Sequence, residues 1–139
     1  MKVLIDTNVL ISAALKPGST PHLAYLKAVT SPNRGIVCET NIEELRRIFN
    51  RKFPSKLSAM DSFLAFAMTT LEVVPTPDEA EAKEGQMRDV KDRPILRAAI
   101  AANADLILTG DKDFLESGID RPLSVTASEF LNMTDATAG

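Results

Sequence analysis

The stretch VLIDTNVLIS, residues 3–12, sets two apolar runs on either side of Asp6, Thr7 and Asn8. The first run, Lys2–Ile5, is short, continuous and rich in branched side chains, the pattern of a strand buried on both faces. Residues 8–14 then start a helix, with Thr7 or Asn8 as its N-cap. A buried strand that passes straight into a helix is the opening of a β-α-β unit. It also puts an aspartate at the edge of the core, at the carboxyl end of the strand.

The rest of the chain repeats this alternation. A loop with two prolines and a glycine (16–21) leads into a helix opened by Pro21 and running to residue 29. A turn cluster at 31–35 precedes a strand at 35–38. Helices follow at 40–50, where Ile42, Leu45, Ile48 and Phe49 recur at helical spacing, and at 55–70. A third strand at 71–74 stops at Pro75 and Pro77. Residues 79–91 are polar and charged and read as a loop or a short weak helix. An alanine-rich helix (93–103), a strand (105–108), a short helix (113–116), a fifth strand (Leu123–Val125) and a last helix (Ala127–Asn132) complete the order. The expected fold is α/β: a three-layer α/β/α sandwich around a central, mainly parallel sheet of about five strands. No repeat or linker divides the chain, so residues 1–132 read as one domain and 133–139 as a disordered tail.

Composition narrows the function classes. The 139 residues are 45% apolar and 25% charged, enough to build the core of one soluble domain. Asp6 breaks the N-terminal apolar run, which lacks a basic region and a cleavage site, so no secretory signal is expected. No stretch is long enough to span a bilayer. The lone Cys38 rules out an internal disulfide and suits a cytoplasmic location. The lone His22 argues against a histidine-built zinc site and against a Ser-His-Asp triad. The net charge of −3 opposes simple nucleic-acid binding unless bound cations neutralise the acids.

In parallel α/β sheets, sites form beyond the carboxyl ends of the strands, near the reversal of strand order. Asp6 ends the first strand, and Asp111, in LILTGDKDF (106–114), lies just past the fourth. Glu44 sits on the helix after the second strand, in TNIEELRRIF (40–49). Asp92 opens the alanine-rich helix, in VKDRPILRAA (90–99). Four carboxylates on one rim raise one another's pKa unless a cation lies between them. Such hard oxygen donors suit Mg²⁺ or Mn²⁺, cations that acidify bound water and offset charge on phosphate.

The segments LIDTNVLISA, EELRRIF, KDRPILRAA and LTGDKDF, in this order and spacing, resemble the PIN domain, a family of metal-dependent ribonucleases. Within it they look most like the VapC-like toxins of type II toxin–antitoxin pairs. The resemblance runs from Lys2 to Leu131. It implies that Asp6, Glu44, Asp92 and Asp111 are the catalytic acids and the ligands of Mg²⁺ or Mn²⁺. Glu43 fits the same motif position as Glu44, and Asp89 is a neighbour able to substitute for Asp92. Asp113 would be an accessory acid, and Asn8 and Thr109 the polar residues that orient acids or water. The implied reaction is hydrolysis of RNA phosphodiester bonds by metal-activated water, with no covalent enzyme intermediate. The implied partners are an RNA substrate, a small antitoxin protein that blocks the acidic pocket, and a second copy of the chain in a homodimer.

Each motif alone also has a purely structural reading. Asp6-Thr7-Asn8 is a ready helix cap, and Thr109-Gly110-Asp111 a turn with glycine at positive φ. Glu44 can pair with Arg47 or Lys52 on a solvated face, and Asp92 can complement a helix dipole. None of these anticipates all four acids in this order. Arg46, Arg47, Arg51, Lys52 and Lys56 crowd the end of the third helix, as RNA phosphate contacts or as a solvated terminus. Phe49 and Phe53 between them face the core. Phe63, Phe66 and Met68 read as core or dimer contacts, and Cys38 as a small buried hydrophobe. Two other classes compete. One is a catalytically silent PIN fold used for binding. The other is a receiver-type phospho-acceptor domain, which needs an acid pair after strand one, an aspartate after strand three and a lysine after strand five. Here strand one ends in a single acid, no aspartate follows strand three before Asp78, and no lysine follows Val125. A phosphatase with a D-x-D nucleophile fails as well, because position 8 is asparagine.

Overall fold

The computed structural model describes residues 1–134. Five strands, β1 (Lys2–Ile5), β2 (Arg34–Cys38), β3 (Glu72–Val74), β4 (Leu106–Leu108) and β5 (Leu123–Val125), form one sheet in the order β3-β2-β1-β4-β5. Every neighbouring pair is parallel, with Leu4 opposite Ile36 on one side and Ile107 on the other. Receiver-type domains order their strands 2-1-3-4-5, so the topology separates this chain from that class.

The strands alternate strictly between two cores. Val3, Ile5, Val37, Leu106 and Leu108 face a layer built by α1 (Thr7–Leu15), α2 (Thr20–Val29), α3 (Glu39–Lys52), α4 (Leu57–Thr70) and α7 (Ala127–Asn132). Leu4, Ile36, Cys38 and Ile107 face the other layer, where α5 (Arg93–Ala101) and α6 (Lys112–Leu115) supply Ile95, Leu96 and Phe114. The apolar runs are continuous because both faces of each central strand are covered. Gly35 is needed for closeness: a Cβ there would lie 2.8 Å from Leu71 Cδ2 and 2.9 Å from Val29 Cγ1.

Several boundaries differ from the sequence reading, each for a local reason. The N-cap of α1 is Asp6, not Thr7 or Asn8, because its carboxylate accepts from the Thr7 N–H at 2.8 Å. Gly110 is not among the residues of positive φ; those glycines are Gly18 and Gly118. Residues 79–91, read as a loop or a short weak helix, form a loop with two short 3₁₀ turns, Ala82–Gln86 and Val90–Asp92, the second ending one residue beyond it. Phe53 is half-buried against Phe49, while Phe66 and Met68 are about half exposed. Of the expected tail, residues 135–139 lie outside the described residues. Among the described residues no helix is long and apolar enough to cross a membrane.

Candidate metal-binding active site

The strand order reverses between β1 and β4, and the carboxyl ends of these two strands carry the first pieces of the site. The Asp6 N–H donates to the Leu108 carbonyl at 2.9 Å, which extends the β1–β4 ladder and brings Asp6 beside Thr109. The buried Thr109 hydroxyl donates to Asp6 Oδ2 at 2.8 Å and accepts from the Asp111 N–H at 3.0 Å. Asp111 in turn caps α6, its Oδ1 accepting from the Asp113 N–H at 2.9 Å. One hydroxyl thus ties the acid after β1 to the acid after β4.

Asp6 is only 4% exposed. Burial pushes its carboxyl up to about 6, against the hydrogen bonds from Thr109 and Thr7, and the charges of Glu44 and Asp111 add to the rise. Asp92 is affected more. It occupies the N-cap position of α5, yet its side chain makes no capping bond, and its Oδ2 is buried with no hydrogen-bond partner among the described residues. Burial, then the charges of Asp111 and Asp6, push its carboxyl up to about 8. A lone-pair oxygen left in this state is costly unless something positive meets it.

These groups share one open cleft of about 260 Å³, lined by Asp6, Glu44, Asp89, Asp92 and Asp111 together with Asn8, Lys91, Ile11 and Ile48. Glu44 and Ile48 stand one turn apart on α3 and form one wall. Glu43, rotated about 100° around the helix, is exposed and does not line the cleft. Arg47 lies 4.0 Å from Glu44, at the limit of an ion pair. Asp89 caps the turn at Val90–Asp92 through the Lys91 N–H. Asp113 is paired with Arg88 at 3.0 Å. Asp89, Asp92 and Asp113 each offer an oxygen within 4.8 Å of the others. Arg46, Arg47, Arg51 and Lys52 are exposed on α3 and none of them lines the cleft.

Among the described acids, only Asp89, Asp92 and Asp113 bring oxygens within 4.8 Å of one another as a group, while Asp6, Glu44 and Asp111 line the cleft without closing to that distance together. The acids as a set still suit a hard divalent cation. The donors are carboxylates, as Mg²⁺ or Mn²⁺ requires, and the orphaned, buried Asp92 oxygen lacks the positive partner that such an ion would be. Each Asp6 oxygen accepts one hydrogen bond and keeps a further lone pair.

Four contributors have no motif of their own. Asn41, fully buried, accepts from the Cys38 N–H at 3.1 Å and donates to the Thr7 hydroxyl at 3.0 Å, locking the start of α3 to the start of α1. Its position three residues into the helix, the reciprocal place of a capping box, is the signal that marks it. Buried Glu84 and partly buried Arg97 form an ion pair with bonds of 2.8 and 3.0 Å, and Arg97 also donates to the Pro77 carbonyl. Arg93 donates twice to the Met87 carbonyl. Together they fasten the irregular segment carrying Asp89 and Asp92 onto α5.

A PIN domain family model matches residues 2–113. The chain therefore belongs to the PIN domain family, a family of nucleases. Among solved structures, it is similar to a chain of VapBC2 from Rickettsia felis, crystallised bound to a DNA fragment from their promoter. The TM-score is 0.67 at 19% identity, covering 91% of this chain and 98% of that one. No curated protein sequence matches the chain.

Proposed function

We propose that this protein is a divalent-metal-dependent endoribonuclease, the toxin of a VapC-like toxin–antitoxin pair, working in the cytoplasm as one domain over residues 1–132. The observation that carries the reading is the convergence of Asp6, Glu44, Asp92 and Asp111, from four separate elements, on one cleft. Membership of the PIN family and the likeness in fold to VapBC2 support it.

In this reading Asp6, Asp92, Asp111 and Glu44 would hold the cation. When bound, Mg²⁺ or Mn²⁺ supplies an acidified water and offsets charge on the phosphodiester. Thr109 fixes the rotamer of Asp6, and Asn41 does the same for the turn beneath it through Thr7. Asn8 borders the reacting phosphate, and Asp89 and Asp113 are accessory acids. Arg46, Arg47, Arg51 and Lys52 on the outer side of α3 receive the flanking phosphates of the RNA. The net negative charge of the chain makes this binding depend on the cation. No side chain serves as a covalent nucleophile. An antitoxin protein covers the acid cleft, and two copies of the chain associate.

The test is incubation of the purified protein with a labelled single-stranded RNA, with Mg²⁺ and with EDTA, beside Asp6→Asn. The reading requires cleavage that stops in EDTA and in the variant. Cleavage that persists in either defeats it.

A further inference from the structure

We propose that the groove on the far side of Asn8 from the acid cleft is a subsite for one nucleobase of the RNA, the base flanking the bond to be cut. This rests on the nuclease reading of the acid cleft. The groove, about 290 Å³, is bordered by Asn8 and Ser12 of α1, Pro21 of α2, Gly110, and Thr126 and Ala127 at the start of α7. Asn8 lines both it and the acid cleft, so the two are neighbours along the path a strand would take. Gly110 has no side chain to raise a wall between them.

The chemistry of the groove differs from that of its neighbour. No charged side chain lines it, so it offers nothing to a phosphate. Its size is near the ~300 Å³ lower end of small-ligand clefts, and its mix of apolar walls and a few polar groups suits a flat neutral ring. Asn8 and Ser12 are one helical turn apart and face the groove together. The Asn8 Nδ2 and the Ser12 hydroxyl make no hydrogen bond among the described residues. The Thr126 hydroxyl, in contrast, already accepts from the Glu129 N–H at 3.1 Å. An amide donor and a hydroxyl thus stand free over Pro21 and Ala127, placed to read one edge of a base whose phosphate lies in the acid cleft.

The experiment measures fluorescence anisotropy of a labelled RNA oligomer in Ca²⁺, with a set of oligomers each carrying one abasic position. Wild type, Ser12→Phe, which fills the groove, and Ser12→Ala, which removes the hydroxyl, are compared. Mn²⁺ titration calorimetry shows that each variant keeps the acid cleft and the fold. Ser12→Phe is expected to weaken binding of the intact oligomer about tenfold and Ser12→Ala about threefold. One abasic position beside the cut bond is expected to weaken wild type about tenfold and Ser12→Phe not at all. Unchanged affinity in both variants, or an equal abasic penalty in wild type and Ser12→Phe, overturns the subsite even if RNA is cut. The expected binding pattern without any metal-dependent cleavage overturns the nuclease reading, and with it the place of the base beside a cut bond, and leaves only a base-binding groove.

Discussion

The Thr109 hydroxyl donates a 2.8 Å hydrogen bond to Asp6 Oδ2 and accepts the Asp111 N–H at 3.0 Å, so one buried residue sets two acids of the cleft. Thr109→Val keeps the shape and removes the link. Asp6 then loses a donor that holds its carboxyl down, and its affinity for protons rises further. The expected result is a loss of about 1–2 kcal/mol in urea denaturation and Mn²⁺ binding weaker by about tenfold. A variant that binds Mn²⁺ as wild type does would show the link to be idle.

The raised carboxyls set the pH dependence of the metal-free protein. Asp6 near 6 and Asp92 near 8 bind protons more tightly in the folded chain than in the unfolded one. Their contribution to stability is therefore full below the ordinary carboxylate range and is lost as pH rises through about 6 and then about 8. Thermal melts in EDTA should show a falling Tm across this window. Added Mg²⁺ should raise Tm most at the alkaline end. A Tm that climbs with pH in EDTA would mean that the acids are already neutralised by the protein itself.

Asp92→Asn separates stability from function. The amide removes the cost of burying this carboxyl and then the repulsion from Asp111 and Asp6, so the metal-free variant should melt higher than wild type by roughly 3 °C or more. It should also gain little from Mg²⁺ and lose at least 100-fold in RNA cleavage. Calorimetric melts with and without Mg²⁺ check the first two outcomes, and single-turnover cleavage the third.

Glu43 and Glu44 provide an internal control one residue apart. Glu44 lines the cleft and Glu43 faces solvent. Glu44→Gln is expected to reduce cleavage at least tenfold, and Glu43→Gln to leave it within about twofold. Parallel rate measurements decide, and the reverse pattern would move the glutamate's role to position 43.

The Glu84–Arg97 pair is structural support for the acids on the neighbouring segment. Arg97→Met leaves the Glu84 carboxylate without its partner, and the variant is expected to lose stability relative to wild type. Chemical denaturation should show that loss. The double variant Glu84→Gln, Arg97→Met should recover part of it, and hydrogen exchange should speed up across residues 82–92.

What the sequence revealed and what it hid have physical causes. The central strands β1, β2 and β4 were legible because they are buried on both faces, which leaves short continuous apolar runs. Asp6 and Asp111 were legible because each lies at or just past the carboxyl end of a strand, Asp6 immediately after β1 and Asp111 three residues after β4. Glu44 could not be told from Glu43 by motif, since only the rotation of α3 on its core decides which one reaches the cleft. The segment 79–91 carries no period because Arg97 and Arg93, on the following helix, hold it through carbonyls and one carboxylate. Asn41 was missed because its two partners come from the end of β2 and the start of α1.

The most direct measurement is anomalous scattering at the manganese edge from crystals soaked in Mn²⁺. The arrangement described here predicts a single strong peak or a close pair among Asp6, Glu44, Asp92 and Asp111, touching the Asp92 Oδ2 that has no other partner among the described residues. A cleft without manganese density, or density only at unrelated surface acids, would contradict it.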